Sequence, residues 1–159
     1  MPLSIRLATT ADAPLVAEFN RLLAAETEGK TLDPAVLARG VAACLADPAK
    51  GIYYLAEENG TVLGQVGLTY EWSDWRNAWF WWIQSVYVRK EGRRRGVFRA
   101  LYEHVHRAAL ADPTVVGLRL YVEKDNEVAK RTYQQLGMEE MGFILLHRWP
   151  LTPHAPING

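Results

Sequence analysis

A chain with one cysteine, no net charge and no long apolar run excludes several classes of protein at once. Cys44 alone cannot close an intrachain disulfide or supply a thiolate cluster for zinc, and a reducing cytoplasm suits such a sequence. Eighteen Lys plus Arg balance eighteen Asp plus Glu, so whole-molecule attraction to nucleic acid or to an anionic membrane is not expected. The most apolar short run, Ala78 to Ile83, falls far below the roughly 20 residues that cross a bilayer. The opening MPLSIRLATT lacks the long apolar core of a signal peptide. No fixed-period repeat or low-complexity tract occurs. The 159 residues fit one domain, 1–149, followed by a tail, 150–159, that carries Pro150, Pro153 and Pro156.

What is present reads in order. Alternation over Leu3 to Leu7 predicts a strand, and Thr9 or Thr10 offers an N-cap to a helix with Leu15, Val16, Phe19, Leu22 and Leu23 on one face. Asp33-Pro34 reads as cap and first-turn proline of a second helix, with Val36, Leu37, Val41 and Leu45 as its apolar side and Asp47-Pro48 as its stop. Ile52 to Leu55, the turn Glu58-Asn59-Gly60, Val62 to Tyr70 and Trp79 to Val88 predict an antiparallel meander. Leu101, Val105 and Ala108 recur at helical spacing after Gly96, and the β-branched run Val115 to Val122 follows the Asp112-Pro113 break. Asp125 or Asn126 caps a last helix through Ala129, Tyr133 and Leu136, Gly137 lies just past its end, and Met141 to Trp149 predicts a final strand. The order βααβββαβαβ is mixed α/β, a mostly antiparallel sheet with a right-handed parallel crossover between strands four and five.

Between the fourth strand and the third helix lies Arg89-Lys90-Glu91-Gly92-Arg93-Arg94-Arg95-Gly96-Val97-Phe98-Arg99, six bases against one acid. Free amides at a helix N-terminus, a partial positive dipole and glycines that let a ligand approach the backbone make an anion site, most often for phosphate. No Gly-Lys-Ser/Thr follows and the dinucleotide glycine pattern is missing, which disfavours ATP and NAD.

The segment Arg93-Arg94-Arg95-Gly96-Val97-Phe98 resembles the Arg/Gln-x-x-Gly-x-Gly/Ala hallmark of the GNAT superfamily of acetyl-CoA-dependent N-acyltransferases. The likeness runs from Ile5-Arg6-Leu7-Ala8-Thr9 to Asn126-Glu127-Val128-Ala129 and Tyr133-Gln134-Gln135-Leu136-Gly137-Met138. The resemblance implies the GNAT fold and acetyl-CoA as cofactor. By it, backbone amides over Arg94, Arg95, Gly96, Val97, Phe98 and Arg99, with Arg93 before them, hold the pyrophosphate. Val86, Tyr87 and Val88 pair with the pantetheine arm like an added strand, and Asn126 lines the same cleft. Tyr133 stands near the sulfur as general acid: a phenol, ordinarily ionising near pH ~10, keeps its proton at neutrality and can pass it to a departing thiolate.

Two positions depart from the family pattern. Phe98 stands where Gly or Ala is usual, so its ring either packs against pantetheine or turns into the core. Gln84 stands where some members carry a strand-four Glu, and an amide cannot take a proton. The base is then a carboxylate elsewhere, with Glu26, Glu28, Glu71 and Asp74 as candidates, or water relays the proton. Five of the six tryptophans fall between Trp72 and Trp82. Alternation places half of them in the core, and the rest, Trp72 and Trp75 among them, serve either as an acceptor wall beside Glu71 and Asp74 or as a homodimer contact. Cys44 reads as a small core residue, and His104 and His106, two apart on a helix, point to different faces, so no metal is expected.

The leading expectation is an enzyme that moves acetyl from acetyl-CoA to a primary amine of a small molecule or peptide. The alternative is a CoA-binding or interaction module of the same fold without turnover. Nucleic-acid binding through one arginine run is weaker, since a single basic loop neutralises few phosphates.

Overall fold

Turn chemistry and alternation build the sheet one strand at a time. The computed structural model describes residues 2–153. The chain divides into two compact units, Met1–Tyr121 and Val122–Gly159, and the tail expected over 150–159 lies outside the described residues from 154 onward.

The first unit contains β1 (Ser4–Leu7), α1 (Ala13–Glu28), α2 (Pro34–Ala46), β2 (Ile52–Glu58), β3 (Thr61–Ser73), β4 (Ala78–Val88), α3 (Val97–Ala111) and β5 (Val115–Leu120). Asp33 caps α2 as its position predicts, its Oδ1 accepting from the Ala35 and Val36 amides at 2.9 and 3.0 Å. Asn59 and Gly60, at φ 52° and 76°, form the two-residue link from β2 to β3 that matches the right-handed twist of paired strands. The sheet runs β1-β2-β3-β4-β5, antiparallel throughout except for the parallel pair β4–β5 closed by the α3 crossover. This is the expected mixed α/β fold class.

Both faces of the sheet are covered. Side chains of adjacent strand residues point to opposite faces, so Gln65 and Tyr87 face α1 while Val66 and Val86 face α3. Val16 and Phe19 of α1, Val41 of α2, Leu55 and Tyr87 form one cluster. Val97, Leu101 and Val105 of α3 are buried on the other side, with Leu101 and Tyr102 against Val66, Ile83 and Val86. Val36, in the first turn of α2, departs from the apolar side expected of that helix and is exposed.

The aromatic hairpin is a correction. None of the five tryptophans from Trp72 to Trp82 is buried, and Trp75 at the tip is 91% exposed. The physical reason is reach: β3 is buried from Val62 to Leu68, whereas its outer part from Thr69 to Ser73 is half-buried or exposed, beyond the stretch that packs in the core. Alternation sorts the rings to two faces but does not bury either. Trp72 and Trp79, cross-strand partners, stack edge-on at 5.0 Å.

In the second unit, α4 (Glu127–Gln135) begins at Asn126, whose Oδ1 accepts from the Ala129 amide at 3.0 Å. It ends with Gly137 at φ 90°, where the Gly137 and Met138 amides return to the Gln134 and Tyr133 carbonyls. The final strand expected over Met141 to Trp149 is not formed, and the sheet ends at β5. Phe143-Ile144-Leu145-Leu146 lacks the alternation that ties a strand to a one-faced sheet, and all four side chains are exposed.

At the start of the chain Arg6 donates to Asp12 through Nη1 and Nη2 and to Glu57 through Nε, joining β1 to the helix entry and to β2. The hydrogen bonds from Arg6 push the Asp12 carboxyl down to about 2. A carboxyl that ionises more readily folded than unfolded stabilises the fold above the ordinary value near ~3.9, and that contribution disappears as pH falls through about 2. Asp12→Asn should therefore lower the melting temperature at pH 7 and give a shallower loss of stability than the wild type between pH ~4 and ~2, measured by thermal melts across that range.

Candidate active site

The parallel ladder between β4 and β5 ends at the pair Ile83–Leu120, yet β4 continues to Val88. Among the described residues, β4 from Gln84 onward is paired to β3 alone, so its other edge is open for another extended chain to pair with. Within this stretch Gln65 pairs with Tyr87 and Gly67 with Gln84, so Ser85 and Val86 together oppose Val66. That is a β-bulge, and Ser85 sits in it at φ 48°, a left-handed conformation that a serine adopts only under constraint.

After Val88 the chain turns through a short 3-10 helix, Lys90–Gly92, and enters α3 at Gly96. Arg94 and Gly96 are both left-handed, at φ 62° and 78°, and such alternation turns successive amides toward one concavity. Among the described residues, the backbone amides of Arg94, Arg95, Gly96, Val97 and Arg99 donate to no backbone carbonyl. Three of them, Gly96, Val97 and Arg99, belong to the cap and first turn of α3, whose dipole adds partial positive charge. Gly64 lets α3 start this low on the sheet: a Cβ there would stand 2.9 Å from the Tyr87 carbonyl oxygen and 3.1 Å from Val97 Cγ1.

The arginines of the loop have separate fates. Arg93 Nη2 donates to Glu26 at 2.6 Å and its Nε to the Val88 carbonyl at 3.0 Å, while the Tyr87 hydroxyl donates to the other oxygen of Glu26 at 3.4 Å. Burial first and the Glu26 charge second raise the Tyr87 phenol, which stays protonated and donating. Arg95 pairs with Glu58 at 2.6 Å and Arg99 with Glu103 at 2.8 Å. Arg94 alone of these has no side-chain partner among the described residues.

Residues expected to bind lie in three places. Val86 to Val88, Arg93 to Arg99 and Glu26 come together around the end of β4. Phe98 is half-buried and lines a small apolar crevice with Val86, Ile83 and Tyr102. At the hairpin, Glu71 accepts from Arg119 at 2.7 Å and from the Trp82 indole at 3.1 Å, and Arg119 lies over the Phe80 ring at 3.6 Å. Gln84 donates to the Thr69 hydroxyl on the same face. Trp72, Asp74 and Trp75 occupy the exposed outer end. Glu28 pairs with Lys30 at 3.7 Å and joins neither group. Asn126 and Tyr133 belong to the second unit, where Asn126 caps α4 and Tyr133 is half-buried.

Sequence reasoning missed Gln65, which is 0% exposed. Its signal was a lone polar residue in the apolar strand Val62-Leu63-Gly64-Gln65-Val66-Gly67-Leu68. It also missed Arg119, whose partner Glu71 lies 48 positions away.

A family model, described as the acetyltransferase (GNAT) family, matches residues 16–138. The chain belongs to the GNAT acetyltransferase family. It is an acetyl-CoA-dependent N-acetyltransferase in consequence. A possible acetyltransferase from Clostridium difficile 630 shares 45% identity and a TM-score of 0.90, over 96% of this chain and 100% of that one. A predicted acetyltransferase from Clostridium acetobutylicum, solved with acetyl-CoA, has the same fold at 18% identity and a TM-score of 0.76, over 92% and 96% of the two chains. The ribosomal-protein-alanine N-acetyltransferase of Brucella melitensis biovar Abortus 2308 does so too, at 18% identity and a TM-score of 0.76, over 93% and 99%. No curated protein matches the chain.

Glu26 is the tether of this GNAT loop to α1. Its pair with Arg93 is partly exposed, so Glu26→Gln should cost under about 1 kcal/mol of stability. Local opening should respond more: hydrogen exchange at the 93–97 amides should speed several-fold while that of β2 and β3 stays unchanged, and equal exchange at both sites would remove the tether.

Proposed function

We propose that the enzyme transfers acetyl from acetyl-CoA to a primary amine of a small molecule or peptide by direct attack, without a covalent enzyme intermediate. The observation that carries this reading is the set of amides of Arg94, Arg95, Gly96, Val97 and Arg99, which donate to no backbone carbonyl among the described residues, beside the open edge of β4. A diphosphate fits those amides in charge and in hydrogen-bond polarity. The amide-bearing pantetheine arm fits the unpaired edge of Val86, Tyr87 and Val88, with the Val88 carbonyl already taken by Arg93.

When bound, acetyl-CoA supplies an activated acetyl thioester. The chain's own groups supply the rest. The Val86 amide donates to the carbonyl oxygen as negative charge develops there. Tyr133, assigned by its place in the family motif, gives the departing sulfur a proton from its hydroxyl. Cys44 is half-buried and burial raises its thiol, which fits a packing residue rather than a nucleophile.

Among the four candidate bases, Glu26 and Glu71 each hold an arginine and Glu28 a lysine. That leaves Asp74 at the hairpin tip and water to remove the ammonium proton. Trp72, Trp75 and Gln84 line the acceptor side in this reading, with Glu71 buttressing it through Arg119 and Trp82 rather than binding the amine directly. Release of free CoA from acetyl-CoA across a panel of amines tests the activity and identifies the acceptor.

Two substitutions separate binding from chemistry. A Cβ at Gly96 would meet nothing within 4 Å, so a side chain there clashes with no neighbour, although φ 78° makes any non-glycine strained, and it would stand beside the amides assigned to the phosphate. Gly96→Glu should leave a folded protein whose melting temperature no longer rises with acetyl-CoA, and unchanged acetyl-CoA affinity would remove the loop from the site. Tyr133→Phe should keep that thermal shift and slow turnover by about 100-fold or more, the usual worth of general acid catalysis. A loss below about threefold would make the tyrosine structural.

A further inference from the structure

Two costly features meet at the β4 bulge. Ser85 holds φ 48°, and Gln65 of β3, which pairs with Tyr87 next to the bulge, is buried at 0% exposure with its Oε1 unpartnered. Gln65 Nε2 donates to the Ser85 carbonyl at 3.0 Å and to Asn20 Oδ1 at 2.8 Å. Asn20 Nδ2 in turn donates to the Tyr53 hydroxyl at 3.2 Å.

The polarity of this chain follows from its fixed end. A backbone carbonyl only accepts, so the nitrogen of Gln65 must face Ser85. Both hydrogens of Nε2 are then spent, on Ser85 and on Asn20, and Oε1 is left over in the core. A methionine would fill the same space without burying an orphaned acceptor, so packing does not account for a glutamine here. What the glutamine does, and methionine cannot, is hold the Ser85 carbonyl.

In a trans peptide the C=O of one residue and the N–H of the next point in opposite directions. Drawing the Ser85 carbonyl toward the α1 face therefore turns the Val86 N–H away from it, toward the face where Val86 lines the crevice with Ile83, Phe98 and Tyr102. Backbone strain kept in place by a dedicated buried partner is characteristic of functional sites.

We propose that Gln65 is a positioning residue for acetyl transfer: through its hydrogen bond to the Ser85 carbonyl it aims the Val86 amide at the acetyl carbonyl oxygen, with Asn20 and Tyr53 orienting Gln65 from behind. This rests on the proposed role of the Val86 amide as the oxyanion donor. Gln65 touches neither donor nor acceptor, and its effect is on the direction of one N–H.

The test uses the full chain labelled with nitrogen-15, as wild type, as Gln65→Met and as Asn20→Ala, which keeps Gln65 but removes the acceptor that orients it. In the wild type the Val86 amide resonance should move more on adding acetyl-CoA than on adding CoA, while the Gly96 resonance moves equally with both. In Gln65→Met the acetyl-specific movement of Val86 should fall by at least half with the Gly96 response intact. In parallel kcat should drop by about tenfold or more, part of the 100- to 1,000-fold that a lost oxyanion donor costs, with KM for acetyl-CoA within about twofold. Asn20→Ala should change both quantities in the same direction by less, and it decides the matter if Gln65→Met does not fold. A wild-type Val86 that ignores the acetyl group overturns the donor reading itself. A Val86 response and kcat retained in the variants, with the wild type behaving as stated, overturn the role of Gln65 alone.

Discussion

Up to Ile83, β4 is paired with a strand on both sides, and from Gln84 to Val88, among the described residues, β3 is its one strand partner. Backbone groups that have lost a ladder partner must find another donor or acceptor, and a strand with one free edge offers them in a fixed row. The bulge at Ser85 lies on this released stretch, and the turn after Val88 and the entry of α3 follow directly from its end. Their placement relative to one another is set by the antiparallel pairing to β3, which continues after the parallel one stops. The open edge is thus a consequence of β5 being short, only Val115–Leu120, while β4 runs on to Val88.

The arginine loop illustrates how charge and geometry divide the labour. Arg93 and Arg95 are spent on Glu26 and Glu58, in α1 and at the end of β2. They fasten the loop to the body of the first unit, and the loop's concentration of positive charge is correspondingly smaller than its composition implies. What remains for an anion is the set of amides held in place by those fastenings, together with Arg94. Preorganised amides need no rearrangement when a ligand arrives, which is the advantage of fixed dipoles over long flexible side chains.

Most of the fold was legible because its signals are local. Asp33-Pro34, Asn59-Gly60, Gly96 and Gly137 each mark an element boundary by the backbone conformation or cap they supply, and each stands at the boundary it predicted. The arginine-glycine loop was legible for the same reason. Burial of the tryptophans was not, because alternation tells which face a ring takes but not whether a helix covers that face. The apolar run Phe143 to Leu146 shows the converse: hydrophobic residues in sequence make a strand only where a ladder receives them. Gln65 escaped because the meaning of a buried amide lies in its partners, Asn20 and Ser85, 45 and 20 residues distant.

Sheet order equals chain order in this protein, and that has a kinetic side. β2, β3 and β4 are joined by tight turns, so their pairing closes only short loops, whereas β1 waits on two helices and β5 on a crossover. Loop-closure entropy favours the central meander as the first piece of sheet to form, with the parallel pair among the later contacts. The open edge of β4 would then exist before β5 docks against its other half. During synthesis on the ribosome the nascent meander would present the whole outer edge of β4, Trp79 to Ile83 included, until β5 emerges to cover that part, so this stage is the one most exposed to pairing with other chains.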